Sequence, residues 1–227
     1  MSDSTALVWF RRDLRLHDND ALVAACEADH VVPVYCFDPR DYGLRAFGGA
    51  DSFEFRKTGG HRAQFRLESV ADLRSSLRDR GSDLFVRVGR PESVLPEIAA
   101  AVDAEFVTMH TWPTAEEMHV ESAVRQALDR VDVDSRRFWG HTLTHLDDLP
   151  MAVAEVPDTY TSFRKTVEQE STIREPLRTP TIPALPDHTL DTGGLPTLAD
   201  VDTELSPPST DERGVLPFEG GETAGYD

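Results

Sequence analysis

The sequence predicts an α/β fold, with five parallel strands in a doubly wound sheet and helices on both faces. Three observations predict it. Short apolar runs, each long enough for a buried strand, recur over residues 1–140. Stretches with apolar residues at three- and four-residue steps separate them. Turn formers punctuate the joins, and no repeat recurs at solenoid periods. Right-handed crossovers then make a doubly wound order the default.

The first strand is 6–10, ending at Phe10. It runs straight into Arg11, Arg12, Asp13 and Arg15, a dense polar loop after an apolar strand. Helical spacing resumes at Ala21, Leu22 and Ala25, with Asp18 or Asn19 placed to cap. Residues 31–37 form the second strand, and Asp38, Pro39 and Arg40 mark a turn at its end. A long connection over 41–58 carries Phe47, Phe53 and Phe55, expected to pin it to the body. A long helix follows over 60–80, with Leu67, Val70, Leu73 and Leu77 as its buried stripe. Arg62, Arg66, Arg74 and Arg78 lie around that stripe, with Glu68, Asp72 and Asp79 as surface partners. The third strand is 84–88, and Pro91 suits the first turn of the next helix. The fourth strand, 105–109, ends at His110, Thr111 and Trp112. A helix over 115–130 and a short fifth strand, 135–138, complete the unit.

Beyond Trp139 the pattern changes. Residues 141–174 close the α/β unit with one short helix at 161–168. Residues 175–227 are Pro-rich and aperiodic, an extended tail that wraps the body or leads to another one.

The chain has 227 residues, 41 acidic against 23 basic, and a net charge of −18. The acid is dispersed, and Lys57 and Lys165 are the two lysines. Self-repulsion on this scale burdens the compact state at low ionic strength and is screened at molar salt, which points to a salty cytosol. It argues against this segment gripping DNA by itself, which needs clustered basic residues. No run approaches the roughly 18 apolar residues of a membrane span. Cys26 and Cys36 fall in a predicted helix and strand and are expected to be reduced core thiols, so a cytoplasmic location is expected.

No nucleophile–base pair is signalled, and no catalytic residue is assigned. His141 and His145 are four apart without a helical run to present a metal. Arg11, Arg12 and Asp13 stand where a phosphate-cradling glycine loop would begin, which counts against a dinucleotide enzyme. What remains is the carboxyl edge of the sheet, where ligands bind in such folds. It gathers Phe10, Arg11, Arg12, Phe37, Asp38, His110 and Trp112 as candidate cofactor-binding residues. Aromatic walls with a few charges suit a flat heterocycle. The alternative is structural: the arginines pair with nearby acids, and the aromatics close the sheet's edge.

Five blocks carry a resemblance. They are 9–19 (Trp-Phe-Arg-Arg-Asp-Leu-Arg-Leu-His-Asp-Asn), 35–40, 57–62 (Lys-Thr-Gly-Gly-His-Arg), 138–143 (Phe-Trp-Gly-His-Thr-Leu) and 146–150 (Leu-Asp-Asp-Leu-Pro). In order and spacing they resemble the cryptochrome/DNA photolyase family, the DASH-type cryptochromes most of all. The resemblance implies a Rossmann-like N-terminal domain carrying a light-harvesting antenna: a deazaflavin, a flavin or a folate. Trp112 stands where folate-binding DASH-type members place a glutamate, and Arg12 where they have asparagine. Both departures favour a deazaflavin or flavin, or no antenna, over folate. The family's FAD lies in a helical C-terminal domain, expected to begin near residues 216–224 and to lie beyond this chain. The resemblance then implies light-dependent DNA repair (deoxyribodipyrimidine photo-lyase activity) or blue-light sensing, with neither expected of this chain alone. FAD, and DNA contact, would come only with a separately encoded or downstream FAD domain. The alternatives are a non-catalytic partner or a general nucleotide-binding α/β module.

Overall fold

The computed structural model describes residues 3–46, 53–205 and 219–226. Along the chain come β1 (Thr5–Phe10), α1 (Asp20–Ala25), β2 (His30–Phe37), β3 (Leu44–Ala46), β4 (Glu54–Arg56), α2 (Gly60–Arg78), β5 (Phe85–Val88), α3 (Pro91–Ala101), β6 (Phe106–His110), α4 (Ala115–Asp129) and β7 (Asp134–Phe138). Three helices follow: α5 (Tyr160–Glu170), α6 (Leu198–Val201) and α7 (Glu222–Tyr226).

The main sheet has five parallel strands in the order β5-β2-β1-β6-β7. The chain winds outward from β1 through β2 to β5, then α3 carries it back across to β6. The order therefore reverses beside β1, and the crevice of such a fold opens at the carboxyl ends of the strands there. All six residues of β1 are buried because both of its edges and both of its faces are covered.

Strand alternation divides the core in two. Ala6, Val8 and Phe10 face Ala21, Leu22 and Ala25 of α1 and Val70, Leu73 and Leu77 of α2. Leu7 and Trp9 face Leu95 and Ile98 of α3 and Val124 and Leu128 of α4. Two helices on each face is the doubly wound arrangement expected.

Several local expectations need correction. The 41–58 connection contains the antiparallel hairpin β3–β4, whose three-residue strands are too short to show a period. Phe53 and Phe55 do not enter the core: they are 69% and 39% exposed, with rings 6.5 Å apart. Phe47 lies outside the described residues. Arg74 is no surface residue. It is buried in α2, its Nε donates to Asp83 at 2.8 Å, and its other nitrogens reach the Gly193 carbonyl (2.6 Å) and Thr192 Oγ1 (2.8 Å). Nor do the α2 acids serve mainly as partners of its arginines. Glu68 accepts the Gly220 N–H and Asp72 the Thr223 N–H, tying the last described segment to α2.

Residues 175–197 run along the body without strands. Asp18, Val31 and Val86 donate backbone N–H bonds to Leu177, Ala184 and Thr192. Ile182 joins the first core, while Leu185 and Leu190 pack on the second. Further on, Asp202 accepts the Gly43 N–H at 2.8 Å and pairs with Arg56 of the hairpin. Gly193, at φ +81°, approaches the Val86 carbonyl so closely that a β-carbon has no room. Among the described residues, no helix is long and apolar enough to cross a membrane.

Candidate functional site

The loop after β1 is tied down by its own polar groups. Asp13 accepts the Arg11 N–H at 3.0 Å, Asn19 Nδ2 at 3.3 Å and, through Oδ2, His110 Nδ1 at 2.6 Å. Asn19 also caps α1 by accepting the Leu22 N–H at 2.9 Å. Burial opposes ionisation of Asp13, but the bonds from His110 and the Arg11 backbone outweigh it and hold the carboxyl below its usual 3.8. On its other side His110 meets Gly140, where a β-carbon would stand 2.6 Å from Nε2. Only glycine allows that approach.

Arg11 is the hub of the site. Its guanidinium is buried, lies 4.6 Å from the Trp9 ring, and donates to the His110 carbonyl (2.9 Å), Glu117 Oε2 (2.8 Å) and Glu121 Oε2 (3.4 Å). Buried Glu121 also accepts from Thr111 Oγ1 (2.7 Å) and Arg137 Nη1 (3.0 Å). Arg12 pairs with the other oxygen of Glu117 and lies 5.7 Å from the Trp112 ring. The first arginine is thus fully committed to holding α4 against β1, as a buried charge requires.

Above this network lies a cleft of about 200 Å³ at the carboxyl ends of β1 and β2. Trp9, Phe10, Tyr35 and Cys36 line it from the strand ends, and α4 contributes Glu116, Glu117, His119 and Val120. Two ion clusters form its rim. Arg40 joins Asp38 (2.6 Å) to Glu92 (2.7 Å). Asp41 joins Lys57 (2.6 Å) to Arg66 (2.8 Å), and Lys57 also reaches Glu116 at 2.7 Å. Burial would raise the Asp41 carboxyl, but Lys57 and Arg66 pull it below 3.8. Burial would lower the Lys57 ammonium, and Asp41 and Glu116 raise it instead, so Lys57 is a fixed cation. Burial pushes the Cys36 thiol and the Tyr35 phenol far above their usual values. Cys36 is therefore a thiol and not a nucleophile. Among the described residues, no group of three His, Cys, Asp or Glu side chains is arranged to hold a metal.

Four of the seven candidate residues meet at this cleft: Phe10, Arg11, Arg12 and Asp38. The other three do not. Phe37 is 1% exposed and packs edge-on to Tyr35 at 4.8 Å within the first core. His110 is turned into the sheet edge by Asp13. Trp112 packs against His141, with ring centroids 4.5 Å apart. In their place the cleft has Trp9, Tyr35, Lys57 and Arg66. Trp9 and Tyr35 look like ordinary strand residues, and Arg66 looks like the polar side of a helix. Trp9, Tyr35 and Lys57 nevertheless head three of the five blocks, a signal that could have found them, whereas Arg66 lies outside all five.

An aromatic lining with a rim of paired charges fits a flat heterocycle with a hydrogen-bonding edge. Comparison with known proteins identifies the family. A family profile described as DNA photolyase matches residues 6–185. The cryptochrome DASH of Gloeobacter violaceus is 48% identical over 227 residues, covering 99% of this chain and 43% of that protein. The cryptochrome DASH of Natronomonas pharaonis is 47% identical, covering 97% of this chain and 45% of that protein. The crystal structure of the Synechocystis sp. PCC6803 cryptochrome matches with a TM-score of 0.87 at 36% identity, covering 100% of this chain and 46% of that one. The chain spans just under half the length of these relatives and corresponds to their N-terminal region. With the fold, the five blocks and the match over residues 6–185 in agreement, this chain belongs to the DNA photolyase family, as its N-terminal, antenna-type region.

Proposed function

We propose that the cleft at the ends of β1 and β2 seats the antenna chromophore of a cryptochrome or photolyase. The family uses flavin and antenna chromophores. The observation that carries the reading is that Trp9, Phe10 and Tyr35 line the cleft at the strand ends beneath the Lys57–Asp41–Arg66 rim. A flavin or deazaflavin fits better than a folate. A pterin ring offers N–H groups that need a free carboxylate, yet Asp38, Asp41 and Glu117 are each already paired with a base. A flavin-type ring presents carbonyl oxygen and ring nitrogen, which can accept from the donors left over by these pairs, Arg66 Nη2 and the third N–H of Lys57. The chain's own residues stack the ring, orient its polar edge and keep water off its buried face; the bound chromophore supplies the absorption of light. Excitation would pass to FAD in a helical domain supplied downstream or by a separate chain, and DNA would be met only there. The reading places the protein in the cytosol, where Cys26 and Cys36 stay reduced.

The test is titration of the chain with a deazaflavin, FMN and a reduced folate. Stacking contributes about 0.5–1.5 kcal/mol per aromatic contact, and a charged hydrogen bond about 1.5–3 kcal/mol. A flavin-type ligand should therefore bind near 1 μM, which is about −8 kcal/mol. Lys57→Ala should weaken it about tenfold or more, and folate should bind worst. Failure of all three to bind would overturn the reading.

A further inference from the structure

Beside the cleft lies a second cavity, of about 360 Å³, which shares Arg11, Arg12 and Arg66 with it. Arg15 and Arg62 also line this cavity, so five arginines converge there in a chain of net charge −18. One carboxylate, Glu222, lines it too. That carboxylate is taken up by backbone, accepting the Leu16 N–H at 2.8 Å and the His17 N–H at 3.0 Å. Arg11 is committed to α4, but the other four arginines are only partly committed. Arg12 binds Glu117 through Nη2, and Arg66 binds Asp41 and the Tyr42 hydroxyl through Nη1. Arg15 donates Nε and Nη2 to the His17 and Asp18 carbonyls. Arg62 is exposed and forms no hydrogen bond or ion pair with any described residue. A chain that pairs nearly every base at the cleft itself thus leaves guanidinium donors open next door.

We propose that this second cavity is an anion subsite for the phosphate-bearing tail of the chromophore whose ring occupies the cleft. The proposal rests on the cleft being a chromophore site and names the class of chromophore it takes: a phosphorylated, nucleotide-type flavin or deazaflavin. Arg11, Arg12 and Arg66 line both cavities, so the two adjoin, and a ring seated in the cleft would bring its tail to these arginines. Guanidinium matches phosphate by paired N–H···O bonds, and no lysine is needed. The field of the whole chain repels a dianion, so any preference for phosphate must come from local contacts.

The experiment compares riboflavin with FMN, which share a ring and differ by the phosphate, on wild type and on Arg62→Ala and Arg62→Lys. FMN should bind wild type at least about tenfold more tightly than riboflavin. Arg62→Ala should cut FMN affinity several-fold and leave riboflavin unchanged, and Arg62→Lys should restore part of the loss. Excess inorganic phosphate should compete with FMN and not with riboflavin. Equal binding of the two flavins to wild type would overturn the anion subsite while leaving the cleft intact. Loss of both ligands alike in Arg62→Ala would also count against it. Binding of neither flavin would overturn the cleft and the subsite together.

Discussion

A single methyl group at Gly140 tests how tightly the loop after β1 is packed. Its β-carbon would stand 2.6 Å from His110 Nε2, and His110 cannot yield because Asp13 holds its other nitrogen. Gly140→Ala should therefore cost about 1–3 kcal/mol, read from urea denaturation. The carboxylates of this region also set the acid limit. Asp13 and Asp41 ionise below 3.8 in the folded chain, so they stabilise it above that value. That contribution should fall away as pH drops through and below 3.8, because the unfolded chain takes up protons first. At the other end burial raises the Cys26 thiol from 9.0 to about 11. The unfolded thiol releases its proton first, so stability should decline between about pH 9 and 11, and Cys26→Ser should blunt that decline. The sequence made the charges after β1 visible but not their partners. Glu117 and Glu121 lie 106 and 110 residues from Arg11, and nothing local encodes such a pairing.

The buried strands and amphipathic helices were legible as elements because burial writes a period into them. Where strands are shortest the sequence was silent: β3 and β4 span three residues each, too few to show a period, whereas β7 was legible although it has no fully buried position. The start of α1 shows how geometry separates candidates that sequence leaves equal. Asp18 adopts φ 51° and Asn19 caps the helix. Asn19→Ala should cost about 1–2 kcal/mol for the cap, and more because Nδ2 also anchors Asp13. Arg74 ran against expectation because its partners, Asp83 and residues 192–193, lie outside its own helix. Arg74→Ala should loosen the Pro-rich segment there. Hydrogen exchange at the Val86 amide, which donates to the Thr192 carbonyl, should speed up while exchange in β1 stays slow.

Across the whole molecule the charge of −18 dominates behaviour in solution. Screening of this repulsion should raise the melting temperature between low and molar salt, a range over which the Debye length falls to about 3 Å. A flat or falling curve would remove the case for a salty cytosol. The doubly wound order was readable from the alternation of strands and helices, and so was the edge of the sheet where a ligand would sit. Which side chains form the cleft was legible only in part: Phe10, Arg11, Arg12 and Asp38 line it as expected. Trp9 and Tyr35 reach it from inside apolar strands, while Trp112 is drawn off by His141. That contrast provides the most direct test of the central claim, that the cleft at the ends of β1 and β2 is the chromophore site. The measurement is the affinity of FMN for wild type, Val120→Trp and Trp112→Ala. Val120 lines the cleft from α4, so an indole there should fill it and lower affinity at least about tenfold, whereas Trp112→Ala should change it less than about twofold. Unimpaired binding to a folded Val120→Trp chain, with loss in Trp112→Ala, would contradict the account.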